Sequence, residues 1–287
     1  METALQISNL CKSYKNADFK LDNVSLQIPK GSIMGFVGKN GAGKSTTINA
    51  VLNIIQKDSG EVTIFGETMT DGNRSIRNDI GVVFDTIHFS GELTPKKLEK
   101  VLSDVYENWQ GEQFFSYLER FQIPTNKKIK TFSRGMTMKL SISVALSHKA
   151  KLLILDEATA GLDPVAREEL LDVLLEFVED EGHSILMSSH VSSDLEKVAD
   201  YITFIDQGKI ILTEEKDTLL YQYGIARMKQ SDFEKLDSSE YLTMRKRGLQ
   251  LEVLVQNKGQ FSREYPEIIV DNATIDEILP LLTQEGD

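Results

Sequence analysis

The stretch Gly38-Lys39-Asn40-Gly41-Ala42-Gly43-Lys44-Ser45-Thr46 fits the pattern G-x-x-x-x-G-K-[ST] at every fixed position. We call it the phosphate loop. An apolar run of strand length, residues 33–37, precedes it, and residues 46–52 have helical character. In this order, glycines let backbone N–H groups turn inward around phosphate oxygens, with the positive end of a helix behind them. We therefore expect Lys44 to reach the β- and γ-phosphates of a nucleotide and Ser45 to offer its hydroxyl to Mg2+. The alternative is a glycine-rich turn that binds no ligand.

The composition is that of an ordinary globular protein with an acidic balance. The 287 residues are 40% hydrophobic and 26% charged, enough for one large α/β domain with an appendage or for two modest domains. The net charge of -12 disfavours nucleic acid and anionic lipid as partners. A single cysteine, Cys11, fits a reducing compartment. Residues 1–7 do not resemble a secretory signal, and no apolar run has spanning length, so we expect a membrane role to need a partner.

Alternation of apolar and polar residues predicts two strands before the phosphate loop, at residues 5–10 and 24–28, in an antiparallel arrangement. Short strands are also predicted at residues 61–66 and 80–84. Tyr14, between the first two strands, could stack its ring on a nucleotide base. Taken alone, Tyr14 would be a half-buried strand residue.

A helical segment is predicted from Thr94-Pro95, a plausible N-cap and first helical residue, to about Lys149. Apolar residues follow at helical spacing, among them Leu98, Val101, Leu102 and Val105. The segment reads as an insertion between strands.

Residues 151–157 form an apolar strand that ends in Asp156 and Glu157. A parallel sheet presents acids at its carboxyl edge in this way, so we expect Asp156 to orient Mg2+ and Glu157 to polarise the attacking water. The alternative is that both acids only cap the next helix. Strands at 184–188 and 201–205 alternate with helices at 165–179 and 192–198, which predicts a largely parallel sheet.

Over roughly residues 5–212 the chain resembles the nucleotide-binding subunits of ATP-binding cassette (ABC) transporters. Residues 132–136 resemble the family's signature, residues 160–163 its D-loop, and His190 its switch histidine. The resemblance implies an α/β fold: a P-loop NTPase core with a parallel sheet, an N-terminal antiparallel β subdomain, a helical insertion and a small C-terminal α+β appendage. The expected domains are residues 1–214, with a helical subdomain at about 86–149, and residues 215–287, which we call the tail.

The resemblance also implies a head-to-tail dimer. Ser133 and Gly135 of one subunit would close over the γ-phosphate held by the other, because they open a helix whose N-terminus attracts anions. His190 would contact the γ-phosphate and hold the attacking water with Glu157, and Asp163 would help to pair the two sites. Without the family, Ser133 would simply be a helix N-cap.

The chain departs from the family pattern at three positions. Arg134 and Met136 replace a glycine and a glutamine of the signature, but leave its serine and second glycine in place. Asp85 stands where the family usually has a glutamine that reaches Mg2+. Asp85 either binds the metal through a water, or weakens this contact and tunes coupling, or is only a polar strand end. We expect the loop 85–94 to contact the membrane subunit.

Strands are predicted in the tail at 241–244, 249–255 and 268–270, and helices at 231–236 and 274–282. Residues 245–247 (Arg-Lys-Arg) are expected to be a solvated charge run. The tail resembles, more weakly, the C-terminal extensions of bacterial exporters for peptides and antimicrobials, such as bacitracin-type systems. Regulation or dimer support is the hypothesis for it.

The sequence therefore predicts an ATPase subunit that dimerises on Mg-ATP and powers export through a separate membrane permease. The predicted partners are this permease and a second nucleotide-binding subunit, the same chain or a different one, with no nucleic acid; the predicted place is the cytoplasmic face of the cell membrane. The alternative is a soluble ABC-type ATPase not coupled to transport. The residues expected to contact ATP are Tyr14, Gly38, Asn40, Gly41, Ala42, Gly43, Lys44, Ser45, Thr46, Ser133, Gly135 and Asp163; those expected at the metal are Ser45, Asp156 and Asp85; those expected in catalysis are Glu157 and His190.

Overall fold

The computed structural model describes residues 2–15, 18–70, 72–86 and 89–283, which contain three β-sheets with helices packed around them. The first half contains β1 (Thr3–Ser13), β2 (Lys20–Pro29), β3 (Ile33–Val37), α1 (Lys44–Val51), β4 (Ser59–Ile64), β5 (Glu67–Thr68), α2 (Arg74–Asn78), β6 (Ile80–Val83), α3 (Pro95–Val105), α4 (Gly111–Arg120), a 3-10 helix (Ile129–Thr131) and α5 (Arg134–Leu146). The second half contains β7 (Leu152–Asp156), α6 (Pro164–Val178), β8 (Ser184–Ser188), α7 (Ser192–Val198), β9 (Tyr201–Asp206), β10 (Lys209–Glu215), α8 (Lys216–Tyr221), β11 (Gly224–Met228), α9 (Gln230–Phe233), β12 (Thr243–Arg247), β13 (Gln250–Val255), α10 (Lys258–Glu264), β14 (Ile269–Asn272) and α11 (Ile275–Leu282).

The central sheet has the strand order β10-β9-β3-β8-β7-β6. All its pairs are parallel except β9 with the edge strand β10, which confirms the predicted, largely parallel sheet. Every residue of β3, β7 and β8 is buried, as expected of strands covered on both faces. Because these three strands are neighbours and run in the same direction, their carboxyl ends meet at one edge of the sheet.

The N-terminal sheet is antiparallel in the order β2-β1-β4-β5, which confirms the predicted β subdomain. Its strands β1 and β2 extend beyond the predicted residues 5–10 and 24–28. Alternate residues, among them Leu5 and Ile28, pack against the central sheet and α1 in one apolar core with Phe36. This packing fixes the strand that leads into the phosphate loop.

The helical insertion begins where the sequence predicts. The Thr94 side chain accepts a hydrogen bond from the backbone N–H of Lys97, and Pro95 is the first helical residue of α3. Leu98 and Leu102 of α3 are buried. Val101 and Val105 are not: they are 47% and 65% exposed, because α3 contacts its neighbours along a narrower stripe than the apolar pattern suggests.

The tail contains an antiparallel sheet in the order β12-β13-β11-β14. The predicted strand at 241–244 was wrong at its start, since β12 begins at Thr243, and β11 and α10 were not predicted at all. Residues 245–247 are not simply solvated either. The guanidinium groups of Arg245 and Arg247 both bind the Glu252 carboxylate, whose side chain is 7% exposed.

Helix α11 of the tail packs into the core of the central sheet. Ile275 and Ile278 are fully buried, and they belong to one apolar cluster with Ile33 of β3 and Leu195 of α7. The backbone N–H of Ile275 also donates to the Glu196 carboxylate of α7 at 3.1 Å. The tail is therefore joined to the rest of the chain by buried apolar contacts.

Candidate functional site

The phosphate loop connects β3 to α1, and its glycines are required by its backbone. Gly41 and Gly43 have φ angles of +82° and +117°, in the left-handed region that side chains disfavour. A Cβ on Gly38 would lie 2.4 Å from the carbonyl oxygen of Ile205 on β9. These positions keep the loop tight against the sheet, and α1 begins at Lys44 directly after it.

The Lys44 side chain folds back over the phosphate loop. Its ammonium group donates to the carbonyl oxygen of Gly38 at 2.7 Å and lies 3.4 Å from Oε1 of Glu157. Only 6% of the side chain is exposed. A buried ammonium needs anionic or carbonyl partners, and here both come from the edge of the sheet where β3 and β7 end.

Asp156 and Glu157, at the end of β7, are held by Ser188 at the end of β8. The Ser188 hydroxyl donates to Oδ1 of Asp156 at 2.6 Å, inside the protein. The backbone N–H of Glu157 donates to both the hydroxyl and the carbonyl oxygen of Ser188, each at 3.1 Å. Glu157 has a φ of +55°, a conformation that costs energy for a residue with a side chain. The hydrogen bonds to Ser188 help to hold it there.

His190 follows β8 and completes the cluster. Its Nδ1 lies 2.5 Å from Oε2 of Glu157, and its backbone N–H donates to the same oxygen at 3.2 Å. Glu157 is thus bound by Lys44 through one oxygen and by His190 through the other. The His190 side chain is 55% exposed, so it forms the solvent side of the cluster.

The remaining residues of the loop differ in exposure: Ala42 is buried, Thr46 is half-buried, and Asn40, Gly41 and Ser45 are exposed. Asp85 is also exposed, one residue beyond Phe84, which follows β6, and β6 lies beside β7. Within the described residues, no three His, Cys, Asp or Glu side chains are grouped to hold a metal ion by themselves. Asp156 and Ser45 nevertheless supply the oxygen donors that Mg2+ prefers, and a metal that keeps waters and phosphate ligands needs no more from the protein.

Tyr14 lies just beyond β1 and is 42% exposed. The Lys12 ammonium is 5.2 Å from the centroid of its ring. Residues 16 and 17, which follow in the same loop, lie outside the described residues. One face of this ring is engaged by a cation, and stacking of Tyr14 on a base stays a prediction.

Ser133, Gly135 and Asp163 lie at two helix N-termini. Ser133 caps α5, accepting from the N–H of Met136 at 3.2 Å, and Asp163 caps α6. The N–H of Ala166 holds the pKa of the Asp163 carboxyl below its ordinary value. In the part of the chain that the structure describes, no hydrogen bond or ion pair joins these three residues to the phosphate loop. One chain therefore does not bring all the predicted residues together.

Comparison with known proteins agrees with this geometry. The family model for ABC transporters matches residues 21–160. The chain is 32% identical over 213 residues to the bacitracin transport ATP-binding protein of Bacillus licheniformis, covering 74% of this chain and 69% of that protein. It is 36% identical over 215 residues to the lantibiotic transport ATP-binding protein of Streptococcus pyogenes, covering 74% and 91%. The chain belongs to the ABC transporter family.

A solved ATP-binding subunit of an ABC transporter has the same fold, with a TM-score of 0.70 and 26% identity over 76% of this chain and 92% of that one. The chain is accordingly an ATP-binding and ATP-hydrolysing subunit of an ABC transporter. No helix among the described residues combines the length and apolar character needed to cross a membrane.

Two contacts of this ABC subunit were missed by sequence reasoning. Ser188 had no signal beyond its place two residues before His190. The second contact joins the phosphate loop to the tail: the Lys39 ammonium donates to the carbonyl oxygen of Thr283, after α11, at 2.9 Å. Nothing in the pattern of the tail predicts that it reaches the loop.

Proposed function

We propose that two copies of this subunit, or this subunit and a homologous one, close head to tail on two Mg-ATP molecules and that hydrolysis drives export through a separate membrane subunit. The observation that carries the proposal is the binding of Glu157 by both Lys44 and His190. It groups a phosphate-binding ammonium, a carboxylate and a histidine at the edge where β3, β7 and β8 end.

ATP binding would change the partners of Lys44 and Glu157. When a triphosphate enters the loop, the Lys44 ammonium can trade the Glu157 carboxylate for phosphate oxygens, because both are anions. Glu157 keeps its contact with His190, which holds one carboxylate oxygen in place. The freed oxygen can accept a hydrogen bond from a water in line with the γ-phosphate and take its proton as the water oxygen bonds to the γ-phosphorus. The bond from that phosphorus to the oxygen shared with the β-phosphate breaks in the same displacement, and ADP leaves with that oxygen.

Ser45 and Asp156 are the residues that would hold Mg2+, and the metal would supply positive charge against the phosphate oxygens. Ser188 binds one oxygen of Asp156, and the other is left to a metal or its water. Asp85 is the third candidate, at the end of the neighbouring strand. A water between Asp85 and the metal would accommodate its short side chain and its charge.

A second copy completes the site in this proposal. Ser133 and Gly135 open α5, and Ser133 is exposed to solvent. A helix N-terminus attracts the γ-phosphate, and the phosphate loop of the same chain is already followed by a different helix, α1. The N-termini of α5 and α6, with Asp163, are therefore offered to the nucleotide bound by a partner.

A groove beside Asp85 is the surface that we assign to the membrane subunit. It has a volume of about 590 Å³ and is bordered by Phe84, Ile54, Val105 and Arg77. Ile54 and Val105 are 60% and 65% exposed, and both line this groove, so they give it apolar surface that a partner could cover. The predicted contact loop 85–94 starts beside this groove, but residues 87 and 88 lie outside the described residues.

Export, rather than import, is supported by the relatives. The matched proteins of B. licheniformis and S. pyogenes are named for bacitracin and lantibiotic transport, and a linearmycin resistance ATP-binding protein of Bacillus subtilis (strain 168) is 32% identical over 229 residues. We place the subunit at the cytoplasmic face of the membrane, where ATP is available and where its permease would recruit it.

Replacing the assigned base tests the site. Glu157→Gln keeps the size of the side chain but cannot take a proton, so we expect ATP binding, accumulation of an ATP-bound dimer and loss of turnover. Size-exclusion chromatography with ATP and a phosphate-release assay measure these. Glu179→Gln, at the exposed end of α6, is the matched control and should behave as the wild type. Wild-type hydrolysis in the Glu157 variant would refute the assigned base.

Crosslinking distinguishes the proposal from a soluble ABC-type ATPase. A cysteine at Val105, in the groove, should crosslink to a membrane protein in intact cells. A cysteine at Leu249, which is 96% exposed in the tail, serves as the control and should not. Equal labelling of both positions, with no membrane partner recovered from either, would favour the soluble ATPase.

A further inference from the structure

Helix α11 lies alongside the phosphate loop. Besides the hydrogen bond from Lys39 to Thr283, a cavity of about 260 Å³ separates the helix from the loop. Its wall combines Asn40 of the loop, His190, and Asp276 and Leu279 of α11. The tail thus supplies part of the rim of the nucleotide site.

Asp276 is a carboxylate on this rim. It is exposed, and within the described residues it makes no hydrogen bond or ion pair. The basic side chains nearby are used elsewhere, since the Lys39 ammonium binds the Thr283 carbonyl and the His190 ring binds Glu157. Asp276 therefore offers an unneutralised charge at the mouth of the cavity.

Arg134 has the opposite charge. It is exposed at the first position of α5, and no carboxylate among the described residues binds it. Its guanidinium packs beside Gly161, where a Cβ would lie 3.2 Å from Nε. A cation at a helix N-terminus is disfavoured by the helix dipole, so its own helix gives Arg134 no stabilisation there.

We propose that, in the closed dimer, Arg134 of each copy forms an ion pair with Asp276 of the partner subunit, so that α11 is part of the subunit interface. The inference rests on the proposed head-to-tail dimer. Arg134 lies between Ser133 and Gly135, and when these approach the phosphates held by the partner, Arg134 arrives at the rim that carries Asp276.

Symmetry and charge both favour this pairing. A two-fold dimer contains the pair twice. Each copy has a net charge of -12, so two copies repel, and opposite charges placed at the contact offset part of that repulsion. Such a pair also selects a partner that carries the same tail, which would favour the homodimer over a heterodimer with a tailless subunit.

A charge-swap cycle in the full-length Glu157→Gln chain tests the pair. Dimerisation with ATP is measured by sedimentation velocity for the Arg134→Glu variant, the Asp276→Arg variant and the double swap. We expect each single reversal to raise the dimer dissociation constant at least about tenfold, or about 1.4 kcal/mol. The double swap should recover to within about threefold of the parent, and the single effects should shrink in about 1 M NaCl because salt screens exposed charges.

Glu112→Arg is the matched control, because Glu112 is an exposed acid at the second position of α4 as Asp276 is in α11. It makes the same change in net charge and should leave dimerisation unaltered. A normal dimer in Asp276→Arg, or no recovery in the double swap, would overturn the pair. If the Glu157→Gln parent itself stays monomeric with ATP, the head-to-tail proposal fails instead.

Discussion

Ser188→Ala should weaken the use of Mg2+ without removing the phosphate loop. The substitution deletes the hydroxyl that donates to Oδ1 of Asp156 at 2.6 Å. The N–H of Glu157 keeps its second acceptor, the Ser188 carbonyl, at 3.1 Å. The Asp156 carboxylate therefore loses a hydrogen bond, and because it is only 6% exposed, little water can replace the missing donor.

The size of the effect follows from this geometry. A hydrogen bond to a charged acceptor contributes about 1.5–3 kcal/mol. Groups that orient a metal ligand change metal affinity by about 10–100-fold. We expect the Mg2+ concentration for half-maximal ATP hydrolysis to rise at least about tenfold in Ser188→Ala, with part of the activity returning at high Mg2+.

Ser184→Ala is the control for the lost hydroxyl. Ser184 begins the same strand and is equally buried, but its hydroxyl interacts with Gly31 and Pro29, away from the site. Phosphate release is measured against Mg2+ for both variants, and thermal melting shows their cost in stability. If Ser188→Ala and Ser184→Ala lose stability alike and share the wild-type Mg2+ dependence, the role assigned to Ser188 is wrong.

Three further predictions concern the loop, the core and pH. Gly38→Ala should raise the Kd for a fluorescent ATP analogue at least about tenfold, because its Cβ would meet the Ile205 carbonyl at 2.4 Å. Gly72→Ala is the control, since its Cβ would meet no atom within 4 Å, and equal affinities of the two variants would contradict this prediction. Ile278→Ala should lower the free energy of unfolding by about 2–5 kcal/mol in one cooperative transition, since the residue is fully buried; calorimetry showing a separate tail transition would disprove a shared core. Burial lowers the pKa of His148 below 6.5. As pH falls, His148 therefore takes up a proton in the unfolded chain before it does so in the folded one, so the stability present above about pH 7 should decline toward pH 6. His148→Gln should reduce this dependence of the melting temperature on pH. An unchanged dependence would exclude His148 as its source.

The strand, loop and helix around Lys44 could be predicted because their signals are local. Residues 33–37 form a continuous apolar run, as a strand buried on both faces must. The glycines that follow fit the pattern of a phosphate-binding loop. Asp156 and Glu157 end a second such run. Parallel pairing brings the ends of neighbouring strands together, so the meeting of these acids with Lys44 follows from the sheet.

Other contacts could not be predicted because they depend on packing. Ser188 is a serine in an apolar strand, and only the register of β7 with β8 places its hydroxyl on Asp156. Lys39 and Thr283 are 244 residues apart in sequence. Strand β11 was missed because residues 224–228 are short and do not alternate.

The packing of α11 affects how a deletion at the predicted boundary, residue 215, should be interpreted. Deleting residues 215–287 would remove Ile275 and Ile278 from a core that also contains Leu195. Activity lost in such a deletion could come either from lost regulation or from lost stability, and the deletion would not distinguish them. Point changes on the surface of α11, such as Asp276→Arg, separate the two.

The packing of α11 also means that the apolar core is completed only late in synthesis of the chain. Domains generally fold as units, beginning from the N-terminus as the chain leaves the ribosome. Ile275, Ile278 and Leu281 fill the same core as β3, which is made about 240 residues earlier. Until residues 275–281 emerge, part of the apolar surface of the central sheet stays uncovered. A ribosome that stalls late in the message would therefore release a chain with a complete phosphate loop and an open core, which chaperones and proteases would recognise.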